Sequence, residues 1–180
     1  MRTLIVITLA LVTALSAKGE VSAKKKVVEP IIADTLTLLV QAGDSCMQES
    51  NTYEALKYFQ QAYARCDSSL TRMKLADCYY KRGNYFHTAN LLKNVPAGDL
   101  THEAFRQLAL SYQKQDDSYS LIFWGRNLIS RFPMDGEVVA AVTTALTRTD
   151  QAWAGITTAE KYFKKDTTNV LVNRALADAY

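Results

Sequence analysis

The sequence predicts an all-α fold, a solenoid (α-α superhelix) of paired antiparallel helices, on three observations. The block Leu75-Ala76 with Tyr79 returns as Leu108-Ala109 with Tyr112 and as Leu176-Ala177 with Tyr180. Weaker copies stand at Ala42-Gly43 with Cys46 and at Val142-Thr143 with Leu146, so that the steps are 33, 33, 34 and 34 residues. An independent aromatic series, Tyr53, Phe86, Tyr119 and Trp153, keeps the same beat. Only 7 Gly and 3 Pro interrupt 180 residues, which favours long helices over many strands and turns. Two series in one register indicate stacked copies of a single unit, each covering its neighbour's apolar flank.

The N-terminus reads apart from the repeats. Arg2 precedes a run from Leu4 to Leu15 that is apolar except for Thr8 and Thr13, about the length of an export-signal core. The small residues Ala14 and Ser16 allow cleavage after Ser16 or after Ala17. The run is short for a membrane span, which needs about 20 apolar residues, so a cleaved signal is expected over an uncleaved anchor. No Cys lies just after the run to carry a lipid. The chain therefore divides into residues 1–17, an export signal; 18–35, a spacer with Lys24, Lys25 and Lys26; and 36–180, the repeats. The spacer reads as a solvated charge run or as a contact to an anionic surface.

Each period divides into two helices. In the first, Ser50-Asn51 is the break, and Asn51 with Glu54 is expected to form a capping box ahead of Tyr53, Leu56, Phe59 and Ala62. In the second, Ser68 or Ser69 caps a helix carrying Met73, Leu75, Ala76 and Tyr79. Gly83-Asn84 ends it, a helix with Phe86, Ala89, Leu92 and Val95 on one side follows, and Pro96-Ala97-Gly98-Asp99 closes the unit. In the third, Thr101 is the cap, Asp116-Asp117-Ser118 the break and Pro133 the end. In the fourth, Asp150 is the break and Asp166-Thr167-Thr168-Asn169 the end. A final first helix reaches Tyr180 without its partner and leaves Leu176 and Tyr180 exposed. That end reads as a truncated fragment, a closing helix or a docking surface; the fragment is preferred, because the outer face is not clearly polar.

These units resemble the tetratricopeptide repeat, which has a bulky residue, Leu-Gly or Leu-Ala, then Tyr in its first helix, and Ala, a large aromatic and Ala in its second, with a closing Pro. The third period carries Phe105, Leu108, Ala109, Tyr112 and Pro133 at those places; the first carries Leu39, Gly43, Ala55, Phe59 and Ala62; the second carries Leu75, Ala76, Tyr79 and Gly83. The fourth, with Val139, Val142, Thr143 and Leu146, is the weakest match. Small residues at Gly43, Ala76, Ala109 and Ala177 let helices approach, and Phe59, Leu92 and Tyr112 fill the space between them. The third unit departs from the pattern, with Leu121 in place of Ala and Gly125 in place of the large aromatic. Either Trp124 restores the volume or the second helix is locally rotated.

Catalytic chemistry has little in the sequence to carry it. Neither His87 nor His102 has a Cys or carboxylate at metal-ligand spacing, and both read as exposed turn residues. No Gly-rich phosphate loop or nucleophile motif occurs. Asp116 and Asp117 are adjacent and read as helix caps. No cofactor and no metal is expected, and the chain is read as a non-enzyme. Twenty-one basic against 18 acidic residues, a formal charge of +3, is too small a balance to imply nucleic acid. Of three cysteines at most two pair. Cys46 and Cys78 fall on neighbouring helices whose axes lie about 8–10 Å apart, too far for a bridge, so buried free thiols are expected.

The resemblance implies that first helices line a concave face, with inward polar positions at Gln41, Asp44, Gln48, Lys74, Asp77, Tyr80, Lys81, Arg106, Gln107, Gln113, Lys114 and Arg148. Lys81, Lys114 and Arg148 recur at one place in three units and would form a basic row with gaps of about 10 Å. Such a row suits an acidic or extended peptide, with Arg106 as a bidentate donor; the alternative is a row of solubilising charges. The implied function is an exported protein- or peptide-binding scaffold, in envelope assembly, secretion or polymer handling. The alternative is a non-catalytic accessory region of a larger cell-envelope protein.

Overall fold

A computed structural model describes residues 35–180; the expected export signal and nearly all of the spacer lie outside the described residues. Within them the chain is helical: α1 (35–48), α2 (Thr52–Arg65), α3 (Ser69–Lys81), α4 (Tyr85–Leu92), α5 (His102–Lys114), α6 (Ser118–Arg131), α7 (Gly136–Arg148), α8 (Ala152–Phe163) and α9 (Val170–Ala179). From α2 onward each helix packs on the next, and the first helices of successive units also touch, α3 on α5, α5 on α7 and α7 on α9. Second helices do not pack on one another. The layering therefore has an inner row of first helices and an outer row of second helices separated by clefts.

One turn, repeated, sets this geometry. Ser50, Gly83, Asp116 and Asp150 occupy the left-handed region, with φ of 60°, 75°, 57° and 58°. The N–H of the following residue reaches back to the helix in each case: Asn51 to Cys46 O at 2.8 Å, Asn84 to Tyr79 O at 2.9 Å, Asp117 to Tyr112 O at 3.0 Å and Gln151 to Leu146 O at 2.8 Å. This is the Schellman closure, which satisfies otherwise unpaired helix-end carbonyls. The same residue then caps the next helix. Asn51, Asn84 and Asp117 accept from the backbone N–H of Glu54, His87 and Ser120, whereas Gln151 makes no side-chain cap. Gln151→Asn should supply the missing acceptor and stabilise the chain by about 0.5–1 kcal/mol. A rise in the denaturation midpoint at unchanged slope is the check.

Two boundary expectations are corrected. Asn51 accepts from Glu54 N, but the Glu54 carboxylate turns outward to Lys57 Nζ at 2.7 Å, so no reciprocal box closes there. The box forms at Ser68 and Thr71, whose hydroxyl accepts from Ser68 N at 3.0 Å and is buried between the two units. The second helix of the second unit ends at Leu92, leaving Val95 buried but outside it.

Packing follows a small-against-large rule between the two helices of a unit. Ala76 and Ala109 are fully buried, with Thr88 of the facing helix reaching Ala76 O at 3.4 Å, while in the fourth unit the larger Thr143 faces Gly155. A Cβ on Gly155 would lie 3.0 Å from Thr143 O. At Gly43 a Cβ would stand 2.4 Å from the Phe59 ring, so the glycine makes the seat for that aromatic. The volume left at Gly125 is filled by Val142 of α7, whose Cγ2 would be 2.2 Å from a Cβ there, and not by Trp124, which stands edge-on to Phe105 at 5.9 Å. Ala177 is exposed, because no helix of the described residues covers that face of α9. Leu176 is half-buried against the cluster of Val139, Ala159, Tyr162 and Val172, a correction to its expected exposure; Tyr180 is exposed as expected.

All three cysteines are free; Cys78 is buried, and Cys46 and Cys66 are only half-buried. The Cys78 thiol donates to Thr52 O at 3.2 Å, and burial pushes its pKa up, away from the reactive thiolate.

Candidate functional site

The inner row of first helices presents the expected polar positions, and interactions between successive units organise them. Lys74 of α3 reaches both carboxylate oxygens of Asp44 in α1, each at 2.7 Å. Gln107 of α5 donates to Asp77 of α3 at 2.8 Å and to Glu103 on its own helix at 3.2 Å. Arg106 of α5 pairs with Glu137 of α7. Arg148 of α7 pairs with Asp116, at the end of α5, at 2.9 Å. Each link between units joins residues about one period apart, so the superhelix itself brings them together.

This ladder changes the expected site. Lys81 is held by Asp77 on its own helix at 3.1 Å and Arg148 by Asp116, so two cations of the expected basic row are neutralised by neighbours. Lys114 alone of the three makes no ion pair among the described residues. Gln107 is buried at 3% exposure and serves as a strut between α3 and α5. Gln41, Gln48 and Gln113 are exposed. Tyr80 is half-buried, edge-on to Tyr85 at 5.5 Å, and burial pushes its phenol up, with Glu137 adding to the effect.

The carboxylates Glu103, Asp135 and Glu137 were not anticipated, although Glu103 and Glu137 stand one period apart in the sequence. They surround Arg106. Burial opposes the guanidinium's charge, but Glu137, Asp135 and Glu103 outweigh it and hold its pKa above the ordinary arginine value. Arg106 Nε lies 3.6 Å from Asp135, beyond hydrogen-bonding distance, and is a buried donor without an acceptor. Asp135 also caps α7 at Val138 N, at 3.2 Å, and lies 2.9 Å from His102 Nε2, whose ring stacks on Phe132. His102 thus serves as a partly exposed strut at the start of α5.

Two hollows open along this face. One, of about 500 Å³ between α3 and α5, has Leu70 and Met73 beside Lys74, Asp77, Lys81 and Glu103. The other, of about 380 Å³ between α5, α7 and α9, has Ala140 and Leu171 beside Lys114, Glu137 and Arg174. The face is therefore amphipathic and mixed in charge. The aromatic series that revealed the period lies elsewhere, at the starts of the second helices, and is exposed throughout: Tyr53 61%, Phe86 61%, Tyr119 77% and Trp153 80%. No group of three or more potential metal ligands and no helix long and apolar enough to cross a membrane occurs among the described residues.

No known family and no curated protein matches the sequence. Solved structures do match the fold. MamA is similar over 82% of this chain and 82% of its own, at 16% identity and a TM-score of 0.73. YrrB, a TPR protein with an unusual peptide-binding site, is similar over 79% of this chain and 74% of its own, at 9% identity and a TM-score of 0.71. A tetratricopeptide repeat protein from Parabacteroides merdae is similar over 81% of this chain and 59% of its own, at 9% identity and a TM-score of 0.69. The chain has the tetratricopeptide-repeat fold.

Proposed function

We propose that this chain is an exported, non-catalytic scaffold that holds a protein or peptide partner along the inner row of first helices. The observation that carries the reading is the pair of hollows on that face, each combining apolar floor with polar groups already positioned by links between units. Grooves of that composition suit an extended peptide, whose side chains enter the hollows while its backbone meets polar groups at the rim. The peptide-binding site of YrrB, on the same fold, is in keeping with this. The partner is expected to carry both signs of charge, since exposed ion pairs such as Lys81–Asp77 contribute only about 0–1 kcal/mol and exchange readily for partner groups. Export rests on the apolar run from Leu4 to Leu15 behind Arg2.

Site-specific photo-crosslinking tests the reading. A crosslinking amino acid at Gln113, in the groove, should capture a discrete partner, whereas one at Gln61, on an outer helix, should not. Changing Lys81, Lys114 and Arg148 together to Glu should weaken capture about tenfold, because partner contacts at all three positions are reversed. Equal capture from both probe positions, or by the triple variant, would count against the groove.

A further inference from the structure

A second surface lies among the outer helices, and its chemistry differs from that of the groove. Since α6 and α8 do not pack on each other, a cleft of about 500 Å³ opens between them, floored by α7. Ile129, Pro133, Val139 and Tyr162 form its apolar lining, with Val139 and Tyr162 nearly fully buried. Around it stand four exposed cations, Arg126, Lys161, Lys164 and Lys165. None of the four forms an ion pair or side-chain hydrogen bond with the described residues, and no carboxylate lines the cleft. The two nearby in sequence already accept other hydrogen bonds: Glu160 from Tyr180 at 2.8 Å, and Asp166 from the cleft residue Tyr162 at 3.0 Å and from Thr168. Asp166 is held below the usual carboxylate range by those bonds, Thr168 first.

The repeat does not by itself create this chemistry. The equivalent cleft between α2 and α4, about 470 Å³, is bordered by Gln60, Tyr63, His87 and Asn90, with no lysine or arginine. The gap between α4 and α6 is crossed by Arg131, which donates to Ala97 O and lies 5.4 Å from the Phe132 ring. Among the clefts between outer helices of the described residues, only the α6–α8 cleft joins an open apolar floor to unpaired positive charge.

We infer that the α6–α8 cleft is a docking site for an acidic peptide segment of a partner protein, one that inserts a large apolar side chain between flanking carboxylates. Charge complementarity selects the carboxylates: four unpaired cations with low-dielectric lining between them attract anions and orient them on approach. The recessed floor selects an inserted side chain. Within the cleft the apolar residues Val139 and Tyr162 lie beneath the cations, an arrangement that suits an inserted side chain better than a flat bilayer surface. The chain's own segment with Lys24, Lys25 and Lys26 carries the wrong sign. This site does not rest on the groove reading, and either can fail alone.

Titration of the 15N-labelled chain with the acetylated peptide Glu-Asp-Leu-Phe-Asp-Glu tests it. Backbone amides of Ile129, Val139 and Tyr162 should shift, and those of Lys74, Asp77 and Gln107 should not. The Gln/Asn counterpart of the peptide should bind about tenfold more weakly, as should the double variant Lys161→Glu, Lys165→Glu. Ser130→Trp should block the cleft with the charge unchanged, and an unaltered circular dichroism melt confirms that each variant is folded. The inference is overturned by equal affinity for the acidic and neutral peptides, by shifts confined to the inner groove, or by no shift at millimolar peptide. Sedimentation with phosphatidylserine vesicles in place of peptide binding would assign the cations to a lipid surface, and self-association through the cleft would assign it to a second copy; each overturns the inference.

Discussion

Gly125→Phe, a substitution that brings the third unit closer to the general repeat pattern, is expected to cost about 3 kcal/mol or more. Even a Cβ at this position would stand 2.2 Å from Val142 Cγ2 and 3.5 Å from Val138 Cγ1. Val142 and Val138 are fully buried in the central cluster, and branched side chains have few rotamers to escape into. The ring would have to push α6 from α7. Val142→Ala alone should cost about 1–2 kcal/mol by opening a cavity, yet in the double variant it should recover part of the Gly125→Phe loss. Denaturant unfolding of the four proteins gives the coupling. Strictly additive losses would show that Val142 does not fill the place of the missing aromatic.

Phe105→Ala is expected to lose about 3–5 kcal/mol. Phe105 is fully buried in the central cluster, meets the Trp124 ring edge-on at 5.9 Å and lies 5.8 Å below the Arg131 guanidinium. Its removal takes apolar surface from the contact between α5 and α6 and leaves a cavity that helices pinned on both sides cannot close. The thermal midpoint should fall by roughly 10 °C for a chain of this size. Phe86→Ala supplies the contrast. That ring is 61% exposed at the start of α4, and its loss should change stability by less than about 0.5 kcal/mol. A similar loss from both would mean that Phe105 and Phe86 share one environment.

That contrast also marks how far the sequence could be read. The Leu-Ala block and the aromatic series gave the same period, because period depends only on where like residues recur. Burial depends on which way the helix faces: Leu75-Ala76 and Leu108-Ala109 proved core, and the aromatic series proved surface. The caps were legible for a similar reason. Asn51, Asn84, Asp117 and Thr101 act on backbone groups three residues ahead, within one turn of chain. The Asn51–Glu54 box failed through a competing charge, Lys57, that lies equally close.

The groove was legible in position but not in charge. Lys81, Lys114 and Arg148 do recur at one place, yet the acids that answer two of them, Asp77 and Asp116, lie one turn away on the same helix and at the preceding turn. The cations of the outer cleft gave no periodic signal, since Arg126 comes from one unit and Lys161, Lys164 and Lys165 from the next.

By itself the sequence determined the all-α repeat, its register, its turns and its small and large positions, because these follow from local periodicity and from groups within one helical turn. Tertiary structure decided that Val142 fills the space at Gly125, that Lys81 and Arg148 are paired and that the four cations of the α6–α8 cleft are not. Those outcomes depend on how far each unit is rotated and displaced from the one before it, and that superhelical offset places side chains about 30 residues apart within a few ångströms of each other.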